Sequence, residues 1–170
     1  MIEIFGCKGN IQNIEKILKQ VENLSNKYNI ILQVFNADFI YGKNHLLSAV
    51  NHAKRAFAQN TNSLNSLALE LLLYMSGERQ IQKAILKIGI NKTTNNFAFV
   101  LISKDKNEFS EKILIDVISS LNLIRDDKVL EGNIDNLKRF GISEYELETI
   151  SKDKYKDLIL EKVALVDIIK

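Results

Sequence analysis

Apolar residues along this chain form three segments with patterns typical of β-strands. Residues 2–5 (IEIF) alternate apolar and acidic positions, and residues 30–35 (IILQVF) are rich in branched and aromatic side chains. Residues 97–103 (FAFVLIS) are apolar almost throughout. A nearly continuous apolar strand is typical of a central position covered on both faces. We therefore predict a small sheet with 97–103 inside it.

The remaining apolar positions follow the helical period. Residues 64–75 are nearly all apolar, which predicts a buried central helix. Other predicted helices cover 11–26, 44–59, 78–88, 109–123 and, after residue 126, shorter pieces that include 153–169. The pattern predicts an α+β fold, in which a small mixed sheet packs with a bundle of helices in a single domain over 1–170.

The charge balance limits the kinds of partner. The net charge is +2 over 170 residues, which is too small for a protein that coats nucleic acid through bulk charge. Any RNA contact is expected at a local site. The single cysteine excludes an internal disulfide, and no signal peptide or membrane-length apolar run is present, so we expect a cytoplasmic protein.

The segment YMSGERQIQKAI, residues 74–85, combines a helix end, a glycine and a cation. Ser76 is expected to cap the helix that follows, and the unpaired N–H groups at a helix start favour anions. Gly77 would permit close approach of a ligand. Arg79 is suited to binding a phosphate or stacking on a base. This junction is the candidate site for a phosphate or nucleotide.

Two polar residues next to the junction are further candidate contacts, and the junction also has a purely structural interpretation. Gln80 is suited to reading a base edge, and Tyr74 to stacking. The alternative is a capped helix–turn–helix with Arg79 paired to Glu78 or Glu70. Glu70 needs a partner inside an apolar helix, and Arg79 or Lys54 is the expected one.

Other chemistry-bearing residues carry weaker signals. His45 and His52 share one helix face, but no third ligand has suitable spacing, so no metal site is predicted. GCKGN, residues 6–10, is expected to be a tight turn rather than a phosphate loop. Cys7 has no nearby histidine to activate it. We predict no catalytic residue and no cofactor.

The C-terminal segment LILEKVALVDII is apolar around much of its circumference. Such a helix either packs in the core or docks on a partner. For docking, the candidate anchors are Leu158, Val163 and Val166.

Residues 45–90 resemble the signature of the smallest core subunit of the KEOPS complex, the family of the PRPK-binding protein. The shared pattern is a His-led helix with a lysine, an Asn-rich loop, and a Glu-containing apolar helix that ends in SGERQI. The resemblance implies a non-catalytic subunit that binds a small atypical kinase, which in turn holds a threonylcarbamoyl transferase. It also implies binding of the single-stranded 3′ CCA end of tRNA, whose adenosine next to the anticodon the complex modifies.

The resemblance assigns expected roles to residues of the junction. Lys54 and Arg79 would contact phosphate, Ser76, Gly77 and Gln80 would form a cradle, Asn62, Ser63 and Tyr74 would contact bases or ribose, and His52 would line the cleft. The C-terminal anchors would contact the kinase. Two alternatives remain: a protein adaptor that activates the kinase allosterically without touching RNA, and a nucleotide-binding enzyme, which lacks a general base or metal site.

Overall fold

The computed structural model describes residues 1–103 and 109–169. Contacts divide the chain into two units, each built from two segments. Residues 1–37 and 90–130 form what we call the sheet unit, and residues 38–89 and 131–170 form the helical unit. The expectation of a single domain over 1–170 stays a prediction.

The sheet unit contains a four-stranded sheet in the order β2-β3-β1-β4. The strands are β1 (Ile2–Lys8), β2 (Ile30–Asn36), β3 (Asn96–Ser103) and β4 (Ile124–Arg125). The three predicted strands are confirmed, and the short β4 was not predicted. Every pairing is antiparallel, so the sheet is not mixed.

The central position of β3 is confirmed. It pairs with β2 and β1, and every residue from 97 to 102 is buried. Phe99 lies opposite Phe5 on β1, and their rings stack with centroids 5.1 Å apart. Cross-strand aromatic pairs of this kind stabilise a sheet and fix its register.

Within the described residues, two α-helices belong to the sheet unit, α1 (Ile14–Lys27) and α5 (Glu111–Ser120). The apolar stripe of α1, which includes Val21 and Leu24, packs with Val117 of α5 and one face of the sheet in a single core. Asn13 caps α1, since its side chain accepts a hydrogen bond from the backbone N–H of Lys16 at 2.9 Å.

The predicted turn at 6–10 starts later than expected, because β1 continues to Lys8. A Cβ on Gly6 would lie 2.6 Å from the carbonyl oxygen of Asp126, so this glycine permits close backbone approach inside a strand. Cys7 is fully buried, and burial raises the pKa of its thiol to about 12. A buried thiol with a raised pKa is a weak nucleophile, and the absence of a catalytic role for Cys7 stays a prediction.

The helical unit contains the predicted helices with shifted ends. They are α2 (Gly42–Ala58), α3 (Leu67–Ser76), α4 (Ile81–Ile88), α6 (Ile134–Phe140), α7 (Glu144–Glu148) and α8 (Tyr155–Ile169). In this unit α2 packs against α3 and α8, and α3 also packs against α4 and α8. With the sheet, these helices confirm the α+β class.

The C-terminal helix α8 is part of the core of the helical unit. Val163 and Val166 have no exposed surface, and Leu158 is partly buried against an apolar cluster that includes Phe140 and Leu147. A side chain without exposed surface cannot anchor a partner on the free chain. The prediction that Leu158, Val163 and Val166 form a kinase-binding surface is therefore wrong for the two valines and unsupported for Leu158.

Candidate functional site

The end of α3 is closed by its own backbone. Gly77 adopts a left-handed conformation with φ of 67°. The N–H of Glu78 donates to the carbonyl of Leu73 at 3.1 Å, and the N–H of Gly77 donates to the carbonyl of Tyr74 at 3.3 Å. This pair of bonds is the Schellman arrangement that ends many helices. The geometry of the turn therefore accounts for a glycine at position 77 without any ligand.

Replacing Gly77 tests this role. We expect Gly77→Ala to lower the free energy of unfolding by about 1 kcal/mol, because alanine is strained at positive φ. Gly77→Asn is the matched control and should lose less, since asparagine tolerates the left-handed region. Urea unfolding of both variants checks the difference. Equal losses would mean that the strain at positive φ is not what limits this position.

The role predicted for Ser76 is wrong. Ser76 is the last residue of α3, and its hydroxyl donates to the carbonyl of Leu72 at 2.8 Å. The same oxygen accepts the N–H of Glu78 at 3.2 Å. The following helix, α4, has Gln80 at its N-cap without a side-chain hydrogen bond. Ser76 is fully buried, so it supports the turn and cannot contact a ligand.

Three of the predicted contact residues are exposed on the helical unit. Lys54 on α2, together with Arg79 and Gln80 before α4, lies at the surface of the helical unit. Among the described residues, Lys54 and Arg79 have no ion-pair partner. Glu78 pairs instead with Lys87, at 3.1 Å between Oε1 and Nζ. The predicted alternative, in which Arg79 is paired to Glu78 or Glu70, is therefore wrong.

Glu70 has a different partner from the one expected. It is fully buried, and its Oε2 accepts the backbone N–H groups of Ser63 at 3.0 Å and Leu64 at 2.9 Å. The predicted pairing of Glu70 with Arg79 or Lys54 is wrong. The carboxylate fixes the loop between α2 and α3, and this loop carries Asn62 and Ser63. Asn62 donates from Nδ2 to the carbonyl of Leu64 at 3.0 Å, which makes the loop tighter.

His45 is a structural histidine. Its Nε2 lies 2.9 Å from the carbonyl oxygen of Met75, which can only accept, so Nε2 carries the proton. Its Nδ1 accepts the N–H of Tyr41 at 3.3 Å. The side chain is fully buried, and burial is the main cause that lowers its pKa to about 4. A neutral His45 thus links α2 to the end of α3.

This histidine predicts acid sensitivity. The pKa of His45 is about 4 in the folded chain against 6.5 for an ordinary histidine, so the unfolded chain binds the proton first as the pH falls. We expect stability to decrease from pH 6.5 to pH 4 by about 3 kcal/mol from this group. Urea unfolding as a function of pH measures the slope. His45→Gln should remove most of it, and an unchanged slope in this variant would contradict the assignment.

Four side chains meet where α8 ends. Asp167 Oδ1 accepts the Tyr74 hydroxyl at 2.5 Å, and Asp167 Oδ2 accepts Arg55 Nη2 at 2.5 Å. His52 Nδ1 lies 2.7 Å from the same Oδ2 and 2.6 Å from Arg55 Nη2. Whether Nδ1 donates to Asp167 or accepts from Arg55 is set by which ring nitrogen carries the proton. Burial alone would raise the pKa of Asp167, but these hydrogen bonds outweigh it and lower the pKa. Burial and the bond to Asp167 raise the pKa of the Tyr74 hydroxyl.

This cluster corrects one prediction and adds two residues. Tyr74 has no exposed surface, so it cannot stack on a base. His52 keeps 16% of its side chain exposed, in agreement with a residue that lines a surface. Arg55 and Asp167 were not predicted as site residues. The only sequence signal was that Arg55 lies one helical turn after His52.

A cavity of about 420 Å³ lies next to the α3–α4 turn. Its lining includes Gly77, Lys87, Arg139 and Lys162. The cations are already in ion pairs, and Lys162 Nζ lies 2.8 Å from Glu146 Oε1. The hydrogen bond from Lys162 is the largest of the causes that lower the pKa of Glu146 to about 2. Any anion entering the cavity must compete with these ion pairs.

Within residues 1–103 and 109–169, no group of three or more His, Cys, Asp or Glu side chains is arranged to hold a metal ion. In the same residues, no helix has the length and apolar character needed to span a membrane.

The sequence model of the family described as kinase binding protein CGI-121 matches residues 9–167. The chain belongs to this family. The match extends beyond the 45–90 signature to both units, and it confirms the family resemblance drawn from that signature.

A curated relative supports the same assignment. The chain is 29% identical over 163 residues to a protein named "Regulatory protein Cgi121" from Methanocaldococcus jannaschii. The alignment covers 91% of this chain and 93% of the relative. The similarity therefore extends over nearly the whole of both proteins.

Proposed function

We propose that this chain is a non-catalytic regulatory subunit that binds a small atypical kinase and recruits tRNA through its single-stranded 3′ CCA end. The observation that carries the kinase part is the match of residues 9–167 to the kinase binding protein CGI-121 family. Through the kinase, the chain would serve the transferase that makes threonylcarbamoyladenosine in tRNA. The RNA part rests on the exposed groups of the α3–α4 turn.

The RNA proposal is supported by cations that no carboxylate neutralises. Arg79 and Lys54 are exposed and have no ion-pair partner among the described residues. Arginine binds phosphate with its planar fork, and a single-stranded end needs few such contacts. A small site of this kind agrees with a net charge of only +2.

The residues of the site have different proposed roles. Arg79 and Lys54 contact phosphates, and Gln80, Asn62 and Ser63 contact base edges or ribose. Gly77 leaves room at the turn. Buried Ser76 and Tyr74 only support the frame, and His52 lines the same surface.

The first experiment compares a complete tRNA with the same tRNA lacking its CCA end. We expect the protein to bind the complete tRNA and to lose it on trimming, because the unpaired nucleotides are the ligand. Fluorescence anisotropy at several salt concentrations measures both. Equal affinity for the two RNAs would exclude the CCA end as the ligand. No binding of either would favour the alternative of a protein adaptor that activates the kinase without RNA.

The Arg79→Ala variant tests the central contact. We expect the dissociation constant for tRNA to rise at least about tenfold, since a hydrogen-bonded contact to a charged group contributes about 1.5–3 kcal/mol. The salt dependence should become shallower by about 0.7 in log–log slope. Lys112→Ala on α5 makes the same change of charge and is the matched control. Full affinity in Arg79→Ala would overturn the assignment.

The kinase contact in this proposal lies on α4 rather than α8. Leu86 is 85% exposed and Ile85 is 50% exposed, and adjacent exposed apolar residues on one short helix are typical of a partner surface. We expect Leu86→Glu to raise the dissociation constant for the kinase at least about tenfold. Its fold should be unaffected, because the side chain is already in water.

A matched variant separates the loss of an apolar contact with the kinase from the general effect of an added negative charge. Leu18 on α1 is 49% exposed, and Leu18→Glu introduces the same side chain on the sheet unit. Pull-down of the kinase by both variants gives the comparison. If the two variants bind the kinase equally well, α4 is not the contact.

A further inference from the structure

Asp167 occupies an unfavourable place for a carboxylate. It lies in the last turn of α8, which ends at Ile169, and the C-terminal end of a helix carries a negative partial charge. Its Oδ2 accepts Arg55 Nη2 at 2.5 Å and lies 2.7 Å from His52 Nδ1. Arg55 of α2 therefore holds an acidic group where the helix itself disfavours one, and His52 Nδ1 lies beside both, 2.6 Å from Arg55 Nη2.

The two oxygens of Asp167 have different surroundings. Oδ1 accepts the hydroxyl of fully buried Tyr74, on the inner side of the cluster. Oδ2 faces Arg55, whose side chain is 49% exposed, and His52, which is 16% exposed. Asp167 itself keeps 30% of its side chain exposed. A ligand in solution can thus reach the donors that Oδ2 occupies.

Those donors are the ones that proteins use for phosphate. A guanidinium provides charge-assisted hydrogen bonds to an anion, and an imidazole beside it adds another in the tautomer that carries the proton on the facing nitrogen. Glu70 provides the contrast within the same unit, because it is fully buried and accepts the backbone N–H groups of Ser63 and Leu64. Asp167 faces side-chain groups that are partly exposed, so a phosphate can compete with it for them.

We infer that His52 and Arg55 form a second phosphate-binding site on α2, occupied by Asp167 in the free chain and taken over by a phosphate of the bound RNA. This inference rests on the proposed RNA function and goes beyond it by naming an internal competitor. When the phosphate arrives, Oδ2 leaves the α2 donors while Oδ1 keeps its hydrogen bond from Tyr74. Asp167 then limits RNA affinity.

The test is a gain of affinity. We expect Asp167→Asn to lower the dissociation constant for complete tRNA roughly fivefold or more, the effect of removing one charge at about 4 Å in water. The amide oxygen of asparagine can still accept from Tyr74, so the frame is kept. Asp157→Asn, on the first turn of α8, makes the same change of charge and should leave affinity nearly unchanged. Equal gains in both variants would overturn the inference.

A double-mutant cycle shows whether Arg55 is the shared partner. Arg55→Ala should weaken tRNA binding, and in this background Asp167→Asn should give no gain, because the donor for which the two anions compete is gone. If Asp167→Asn raises affinity equally with and without Arg55, the competition does not take place at Arg55 and the inference fails.

A separate experiment distinguishes a phosphate of the RNA from free inorganic phosphate. Titration calorimetry with inorganic phosphate on Asp167→Asn should show no saturable binding at millimolar concentration, while tRNA binds. Saturable binding of phosphate alone, with unchanged tRNA affinity, would assign the site to a free anion and overturn the inference. The proposed function is judged independently by trimming the CCA end of tRNA on the wild-type protein. Wild-type binding that depends on CCA, together with no gain in Asp167→Asn, would reject only the inference.

Discussion

A single Val163→Asp substitution should unfold the helical unit or leave it barely stable. Val163 has no exposed surface, and α8, which carries it, packs against α2 and α3. The substitution places an unpaired carboxylate among apolar side chains and also removes buried methyl groups. We expect a loss of about 5 kcal/mol or more, which is comparable with the whole stability of many domains. Circular dichroism during thermal unfolding measures it.

The same change on the outer side of α8 is the control. Ile168 is 78% exposed, so Ile168→Asp should change the free energy of unfolding by less than about 0.5 kcal/mol. A Val163→Asp protein that folds normally but no longer binds the kinase would restore the original prediction that α8 is the partner surface.

The error about α8 has a physical origin. Apolar residues surround much of its circumference, and the sequence pattern alone fits both a core helix and a docked helix. What decides is the number of neighbours that cover the helix. Both α2 and α3 cover α8, and they come from a segment about a hundred residues earlier in the chain. No local period carries that information.

The junction at Gly77 shows how local rules can compete. A Ser–Gly pair between two helical patterns fits either the start of the second helix or the end of the first. The positive φ of Gly77 and the bond from Glu78 N–H to Leu73 select the end. The glycine was predicted correctly as a special position. The prediction, however, explained the glycine by ligand access, whereas the structure explains it by the backbone geometry of the turn.

Strongly patterned elements were predictable from sequence, and the partners of buried polar groups were not. β3 and α3 have long apolar runs, and both are central as predicted. The hydrogen bond from Tyr74 to Asp167 joins residues 93 positions apart, so spacing within a helix cannot reveal it. Arg79 could be predicted from the sequence as a candidate phosphate contact, because that prediction does not depend on a partner elsewhere in the chain.

The second large effect is expected at Glu70. Glu70→Ala should lower the free energy of unfolding by about 4 kcal/mol, because two backbone N–H groups lose a charged acceptor in a buried place. The donors, Ser63 and Leu64, lie 3.0 and 2.9 Å from Oε2. Urea unfolding measures the loss. Since the loop carries Asn62 and Ser63, tRNA affinity should also fall under conditions where the variant is folded.

Glu70→Gln distinguishes the hydrogen bonds from the charge. Both N–H groups donate to the same oxygen, Oε2, and the amide oxygen of glutamine can accept both in the same place. We expect a loss of only about 1 kcal/mol, since neutral hydrogen bonds are weaker than charge-assisted ones. If Glu70→Gln loses as much as Glu70→Ala, the negative charge itself matters more than the two bonds. If Glu70→Ala loses less than about 1 kcal/mol, the loop is held by other contacts, and its part in RNA binding no longer depends on α3.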